Sequence, residues 1–248
     1  MRRFSDRIHP EVFERFPGYC WGKVICWRLD NRRGLDQATL LLREVEELVR
    51  QDPELADIVA HPKIVAWREA FSRFGARPSK YQASVEALAR RVRRGDALPP
   101  INALVAIYNA VSLRSLMPIG GDDLDLVSGG LHLRLAKGDE AFTALGADEP
   151  EPPDEGEIIY VDDAKVLCRR WSWRGGDASK ISLSTTNAVL NVHGLLPATR
   201  DEVQRATETL AGLVKRVCGG ESTSYVQDET TPFVEFDIPI EAGEPRRP

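Results

Sequence analysis

Residues 101–113 read INALVAIYNAVSL and residues 118–125 read PIGGDDLD, and the change of character between them divides the chain. From Ala97 to Leu113 no residue is charged, yet Asn102, Asn109 and Ser112 recur at helical spacing. The three share one face of a helix launched by Pro99-Pro100 and ended near Pro118. An unpartnered buried amide or hydroxyl costs about 1–3 kcal/mol, so an apolar helix keeps such a stripe only where structure or a ligand bonds to it. Gly120 and Gly121 then give a backbone able to take positive φ or to approach a ligand closely.

Upstream of this stretch the pattern is mostly helical. An aromatic and β-branched run over 19–29 predicts a strand, broken by Asp30-Asn31-Arg32-Arg33-Gly34. Asp36 caps a helix to about Gln51 with Leu41, Val45, Leu48 and Val49 inward, and 53–61 reads as a short second helix. Pro62 opens a third, with Ile64, Trp67, Phe71 and Phe74 on one side and Gly75 as its stop. Pro78 opens a fourth, with Tyr81, Val85, Leu88 and Val92 inward and Arg90, Arg91, Arg93 and Arg94 crowding its last turn. Four arginines exceed what a helix dipole requires.

Downstream, strands take over. Leu131, Leu133 and Leu135 alternate with His132 and Arg134, 158–161 and 165–169 form a hairpin, and 188–192 is another strand. The acidic, proline-rich 146–156 is a solvated loop. Thr199 and Glu202 make a capping box for a helix to about Val217, and 233–238 is a last strand. Helices first, strands second, and a helix between the last two strands predict an α+β fold with helices packed on a mainly antiparallel or mixed sheet. The expected organisation is one domain: a core over 62–196, an N-terminal extension of strand and helices over 1–61, and a helix and strand over 197–248 that complete it.

No apolar run reaches the roughly 18–20 residues of a membrane span, and the opening MRRFSDRIHP leads into no signal core, which makes the cytosol the default address. Cys20, Cys26, Cys168 and Cys218 lack the spacing of a zinc or redox site, and Cys20 and Cys26 read as small buried groups on one strand face. None of His9, His61, His132 and His193 stands at ligand spacing with another, so neither a metal nor a cofactor is expected. The net charge of −5 hides a polarity. Residues 62–118 hold ten Lys or Arg against three Asp or Glu, whereas 119–163 hold two against thirteen. A basic side can hold a polyanion while the acids face elsewhere or line a cationic pocket; solvated faces are the plain alternative.

The nucleophile elbow, the Walker loop, the dinucleotide fingerprint and the paired-histidine metal helix are all missing. An enzyme built from these residues would use a positioned water, an oxyanion partner and the substrate's own groups on an already reactive bond. An aminoacyl ester on tRNA is such a bond.

The order of motifs is familiar. Asn109-Ala110-Val111, Pro118, Asp123 to Asp125, an ALGAD loop and Gly175-Gly176-Asp177 together resemble the editing domain of the phenylalanyl-tRNA synthetase β subunit. Still closer is the likeness to stand-alone proteins built on that domain, in segments such as RPSKYQASVEAL, IYNAVSL and LCRRWSWR. The resemblance covers about Pro62 to Leu195. It implies a trans-editing deacylase that hydrolyses a wrongly attached amino acid from tRNA, with some relatives acting on the arginine analogue canavanine. Two departures point away from tyrosine as the amino acid removed. Gly120 stands where the family has a histidine, and the shorter Asp177 stands for the glutamate that reads the tyrosine hydroxyl.

On this reading Asn109 and Ser112, with the backbone of Gly120 and Gly121, position the ester carbonyl and the water, assisted by the terminal ribose hydroxyl. Asp123 and Asp177 hold the α-amine or a side-chain cation, the competing role for Asp123 being a turn cap. Tyr108 and Trp173 complete the substrate-binding set; Trp171 and Trp173, alternate positions on one strand face, either pack in the core or stack on the terminal adenine. Arg77, Lys80, Arg90, Arg91 and Arg94 are the candidate phosphate contacts. Two other classes fit the same residues: a non-catalytic tRNA or nucleic-acid-binding module, and a binder of an amino-acid-like metabolite.

Overall fold

A computed structural model describes residues 1–239; residues 240–248, the end of the expected C-terminal segment, lie outside the described residues. The chain opens with two elements that its polar composition conceals, β1 (Arg2–Ile8) and the short α1 (Pro10–Arg15). β2 (Cys20–Trp27) follows where the aromatic run placed a strand, and it buries Cys20 and Cys26. α2 (Leu35–Gln51) is capped by Gly34 at φ 70°, not by Asp36. Its buried side runs through Ala38, Leu42, Val45 and Val49, while Leu48 is 51% exposed. The stripe is displaced because Glu46 belongs to it, held by Arg43, Arg50 and the Leu98 amide.

No second helix forms over 53–61. Asp52 caps only a 3₁₀ turn, Pro53–Leu55, and turns and bends follow. α3 (Pro62–Arg73) has the expected start and aromatic stripe, and it gives way to Gly75 at φ 84°. α4 (Ser84–Arg93) begins at Ser84 and not at Pro78; residues 78–83 are turn and coil, which lets Tyr81 pack edge-on against Trp173 at 4.9 Å between centroids. α5 (Ala103–Ser115) is the charge-free helix, capped by Asn102, whose side chain accepts from the Val105 amide at 3.0 Å.

The paired glycines lie within a strand, β3 (Ile119–Asp123), and neither takes positive φ. β4 (Leu131–Leu135), β5 (Ile158–Val161), β6 (Val166–Arg169), the two-residue β7 (Arg174–Gly175) and β8 (Ala188–Gly194) follow. Both bonds of the Thr199–Glu202 capping box are present at the start of α6 (Arg200–Cys218), and β9 (Glu221–Gln227) and β10 (Phe233–Ile238) close the described chain.

The fold is α+β, with its strands divided between two sheets. One has the order β10-β1-β4-β5-β6-β7, antiparallel except for the parallel β1–β4 pair; the other, β3-β8-β2-β9, is antiparallel throughout. α6 packs on β2, β8 and β9, and α5 on β3, α6 and α2. Gly22 and Gly194 permit the approach of α6, since a Cβ on either would lie 2.0–2.2 Å from Thr207 or Val203. The other face of this sheet meets the six-stranded one. There Trp21 stands edge-on to Tyr160, and the fully buried Lys23 reaches Asp6 of β1 and the Tyr160 hydroxyl, both at 3.2 Å. An ion pair without solvent is kept only when its geometry and remaining hydrogen bonds are good, and this one joins the two sheets.

Candidate functional site

β3 is the edge strand of its sheet, and beside it α5 and the turn from β6 to β7 leave a cleft of about 830 Å³. Asn109 and Tyr108 reach it from α5, and Gly120 and Gly121 from β3. Gly120 leaves open space where a side chain would stand, with nothing within 4 Å of a Cβ; Gly121 is tightly packed, its Cβ position 2.5 Å from Leu190 and 2.9 Å from Ile181. Trp173 lines the cleft as well, with the Arg170 guanidinium 4.7 Å from its ring centroid.

The stripe on α5 divides between structure and cleft. Asn102 is the helix cap, and the Ser112 hydroxyl donates to the Met117 carbonyl at 2.7 Å, closing the helix end; Ser112 is absent from the cleft wall. Asn109 alone of the three carries no structural bond among the described residues and faces the cleft.

Neither expected acid lines the cleft. Asp123 is the turn cap: it accepts from the Asp125 amide at 3.0 Å and from the Thr185 hydroxyl at 2.7 Å. Asp177 begins a 3₁₀ turn, Asp177–Ser179, which directs it outward to Lys180, whose ammonium is 3.0 Å from both carboxylate oxygens. That pairing holds the Asp177 carboxyl below its usual range.

The same turn sends Ser179 inward, where its hydroxyl donates to Asp122 at 2.7 Å. Asp122 is 7% exposed, and it is the one acid among the described residues lining the cleft. Burial raises its carboxyl to about 7, against the stabilising Ser179 bond and Lys23. Burial also raises the Tyr108 phenol, with Asp122 adding to the effect. At the cleft's inner end lie Asn191 and His193 of β8. His193 Nδ1 is 2.7 Å from the Tyr19 hydroxyl, and burial with nearby Lys23 lowers its pKa to about 3, so the ring is neutral at physiological pH. The Cys168 thiol, raised by burial, stays protonated and is a poor nucleophile.

Asp122, Asn191 and His193 escape a reading by motif. Their signal is strand alternation: Asn191 and His193 interrupt the buried apolar run of β8, and Gly120 and Asp122 fall on one face of β3. Trp171 and Trp173 do not share a strand face, because Arg170 and Trp171 take positive φ (44° and 65°) in a tight turn. The turn puts Trp171 in the core against Phe16, Tyr19 and Trp67. Glu157 grips Arg169 with both oxygens, and Asp154 and Glu151 of the acidic loop pair with Arg170 and Arg169, so part of that loop anchors this turn.

The mouth of the cleft is basic and apolar. Arg91, Arg174 and Lys180 line it together with the exposed Ile101, Leu145 and Leu183. Arg77, Lys80 and Arg94 are exposed elsewhere, whereas Arg90 is bound to the buried Glu86 at 3.1 Å. Among the described residues no group of three or more His, Cys, Asp or Glu side chains is arranged to hold a metal ion, and no helix is long and apolar enough to cross a membrane.

Fold and cleft together define an α+β domain with a deep, polar-ended pocket opening on a basic rim. The profile of the B3/4 domain matches residues 66–219, and the chain belongs to that family. It is similar to the phenylalanine–tRNA ligase β subunit of Fusobacterium nucleatum, 33% identical over 119 residues, which is 48% of this chain and 14% of that subunit. The subunit of Yersinia pestis is 26% identical over 218 residues, 75% of this chain and 27% of its own length. The chain thus spans about a quarter or less of these curated relatives. A crystal structure of an N-terminal fragment of the phenylalanyl-tRNA synthetase β subunit from Pyrococcus horikoshii aligns over 91% of this chain and 55% of the fragment, with 12% identity and a TM-score of 0.47.

Proposed function

We propose that this protein is an aminoacyl-tRNA deacylase that acts in trans on a mischarged tRNA, with the amino acid held in the cleft and the RNA outside it. The observation that carries this reading is the polarity of the cleft: one buried acid, Asp122, inside, and Arg91, Arg174 and Lys180 at the mouth. An aminoacyl ester has the matching polarity, a cationic amine at one end and a polyanion at the other. The phenylalanine–tRNA ligase relatives make a tRNA the natural carrier, and a cytoplasmic address follows from that substrate.

Asp122 takes the role that Asp123 and Asp177 cannot reach, pairing with the α-amine or with a basic side chain such as that of canavanine. Asn109, free of structural duty, orients the ester carbonyl and the attacking water. Water oxygen bonds to the acyl carbon, the bond to the ribose oxygen breaks, and that oxygen leaves with a proton relayed through the neighbouring ribose hydroxyl. A His193 ring with a pKa of about 3 is too weak a base to take part as one. Trp173 and the apolar rim give the terminal ribose and adenine a surface to rest on.

The test offers purified protein a panel of mischarged tRNAs and follows ester loss. Asn109→Ala is expected to lower kcat about 10²-fold, the scale of one lost transition-state hydrogen bond. Asp177→Ala, a surface residue already paired with Lys180, is expected to stay within about twofold of wild type. Loss of no ester faster than in buffer ends the enzyme reading. Salt-sensitive tRNA binding without ester loss would identify a recognition module instead.

A further inference from the structure

The antiparallel register sets three residues in a row across one sheet: Lys23 on β2, Asn191 on β8 and Gly120 on β3. Directly opposed residues in an antiparallel pair point to the same face. On one side of Asn191 that face is filled, because Lys23 rises to the Tyr160 hydroxyl. On the other side it is empty, because nothing lies within 4 Å of a Cβ on Gly120. Asn191 is 3% exposed, lines the cleft, and its Oδ1 has no hydrogen-bond partner. Asp122 stands two residues along β3 on the same face, so the gap above Gly120 lies between a carboxyl and an unsatisfied amide oxygen. A second orphaned atom, the Ser172 hydroxyl, belongs to a residue lining the same cleft.

A buried acceptor left without a partner costs about 1–3 kcal/mol, and two oxygens flanking an open space are placed to receive donors. We infer that the gap above Gly120 reads the side chain of the bound amino acid and that Asn191 is its specificity-determining residue, selecting side chains that end in N–H or O–H donors over apolar ones of equal length. The inference rests on the proposed reading that an amino acid occupies the cleft. It adds which chemical class the cleft accepts. Apolar pockets discriminate weakly between isosteres, whereas a site built to hydrogen-bond a donor rejects ligands lacking it much more strongly.

Free amino-acid amides test this without RNA or hydrolysis, so its outcome is separate from that of the deacylation panel. Titration calorimetry compares glutaminamide, argininamide and norleucinamide, which share an α-amine and differ at the side-chain end. Wild-type protein is expected to bind glutaminamide and argininamide at least about tenfold more tightly than norleucinamide. Asn191→Leu, similar in size, is expected to bring glutaminamide and norleucinamide within about twofold of each other, while Asp122→Asn weakens argininamide selectively. Gly120→Val fills the gap from the neighbouring strand and leaves Asn191 in place, and it is expected to reduce binding of all three by more than about tenfold, which keeps the test decisive should Asn191→Leu misfold. The inference is overturned by no measurable binding, by norleucinamide binding as well as glutaminamide, by a preference that survives Asn191→Leu, or by Gly120→Val leaving all three affinities in place.

Discussion

Asp122 couples folding to ligand binding through one proton. Its carboxyl, raised to about 7 by burial, stays protonated in the folded chain across a range where the unfolded chain has ionised, from about 4 upward. The folded state therefore holds the extra proton between about pH 4 and pH 7, so stability falls as pH rises through that window and levels off above it. A cationic ligand needs the carboxylate, so its binding has the opposite slope and strengthens through about pH 7. The buried neutral His193 contributes the opposite slope, so the reading is a comparison: in urea denaturation, wild type is expected to lose about 2–4 kcal/mol more stability than Asp122→Asn between about pH 5 and pH 8. Equal pH dependence in wild type and Asp122→Asn would contradict the buried acid. Residue by residue, the sequence was legible where a polar side chain interrupts an apolar helix, which is how Asn109 stands out. It was not legible among Asp122, Asp123 and Asp125, since three acids in four positions differ only in which face of a strand or turn each occupies.

The strand that carries Asp122 also carries two glycines with opposite surroundings. A methyl group on Gly121 would lie 2.5 Å from Leu190 and 3.0 Å from the Val189 carbonyl, so something must move. Gly121→Ala is expected to lower stability by about 1–3 kcal/mol in a denaturant midpoint measurement, the usual scale of overpacking. Gly120→Ala meets nothing, sits in ordinary strand geometry, and is expected to leave the midpoint unchanged or slightly higher. It would still narrow the cleft and weaken ligand binding. If Gly120→Ala destabilises the fold as much as Gly121→Ala, the cleft is not open there. Read in isolation, the glycine pair suggests a turn, and the strand emerges only from its pairing with β8. β1 and β9 were hidden for a related reason: RRFSDRI and ESTSYVQ are mostly polar, and the polar groups that do turn inward find partners only in the fold, Asp6 with Lys23 and with the Tyr225 hydroxyl. Helices with capping residues and apolar stripes, α3 and α6, needed no such context.

Across the whole molecule the charge polarity seen in the sequence resolves into arginines with different duties. Arg90 pairs with Glu86, which is fully buried and shared with Arg68, and Arg93 donates to the carbonyls of Val49, Arg50 and Asp52 at the end of α2. Both are committed to structural partners and would have to give them up to hold a phosphate. Arg91 is on the same helix but faces outward at the cleft, exposed and with no ion-pair partner among the described residues, and Lys80 is likewise exposed beside Tyr81. Each phosphate contact releases about 0.7–0.9 counterions, so its loss shows as a change in the salt dependence of binding, whatever the absolute affinity. Arg91→Ala and Lys80→Ala are each expected to reduce the slope of log K against log salt by nearly one when tRNA binding is titrated at several ionic strengths. Arg90→Ala is expected to leave the slope in place and to lower stability by about 1–3 kcal/mol, since Glu86 already has one oxygen without a partner. A slope that falls for Arg90→Ala and holds for Arg91→Ala would put the RNA against the other flank of α4, away from the mouth of the cleft.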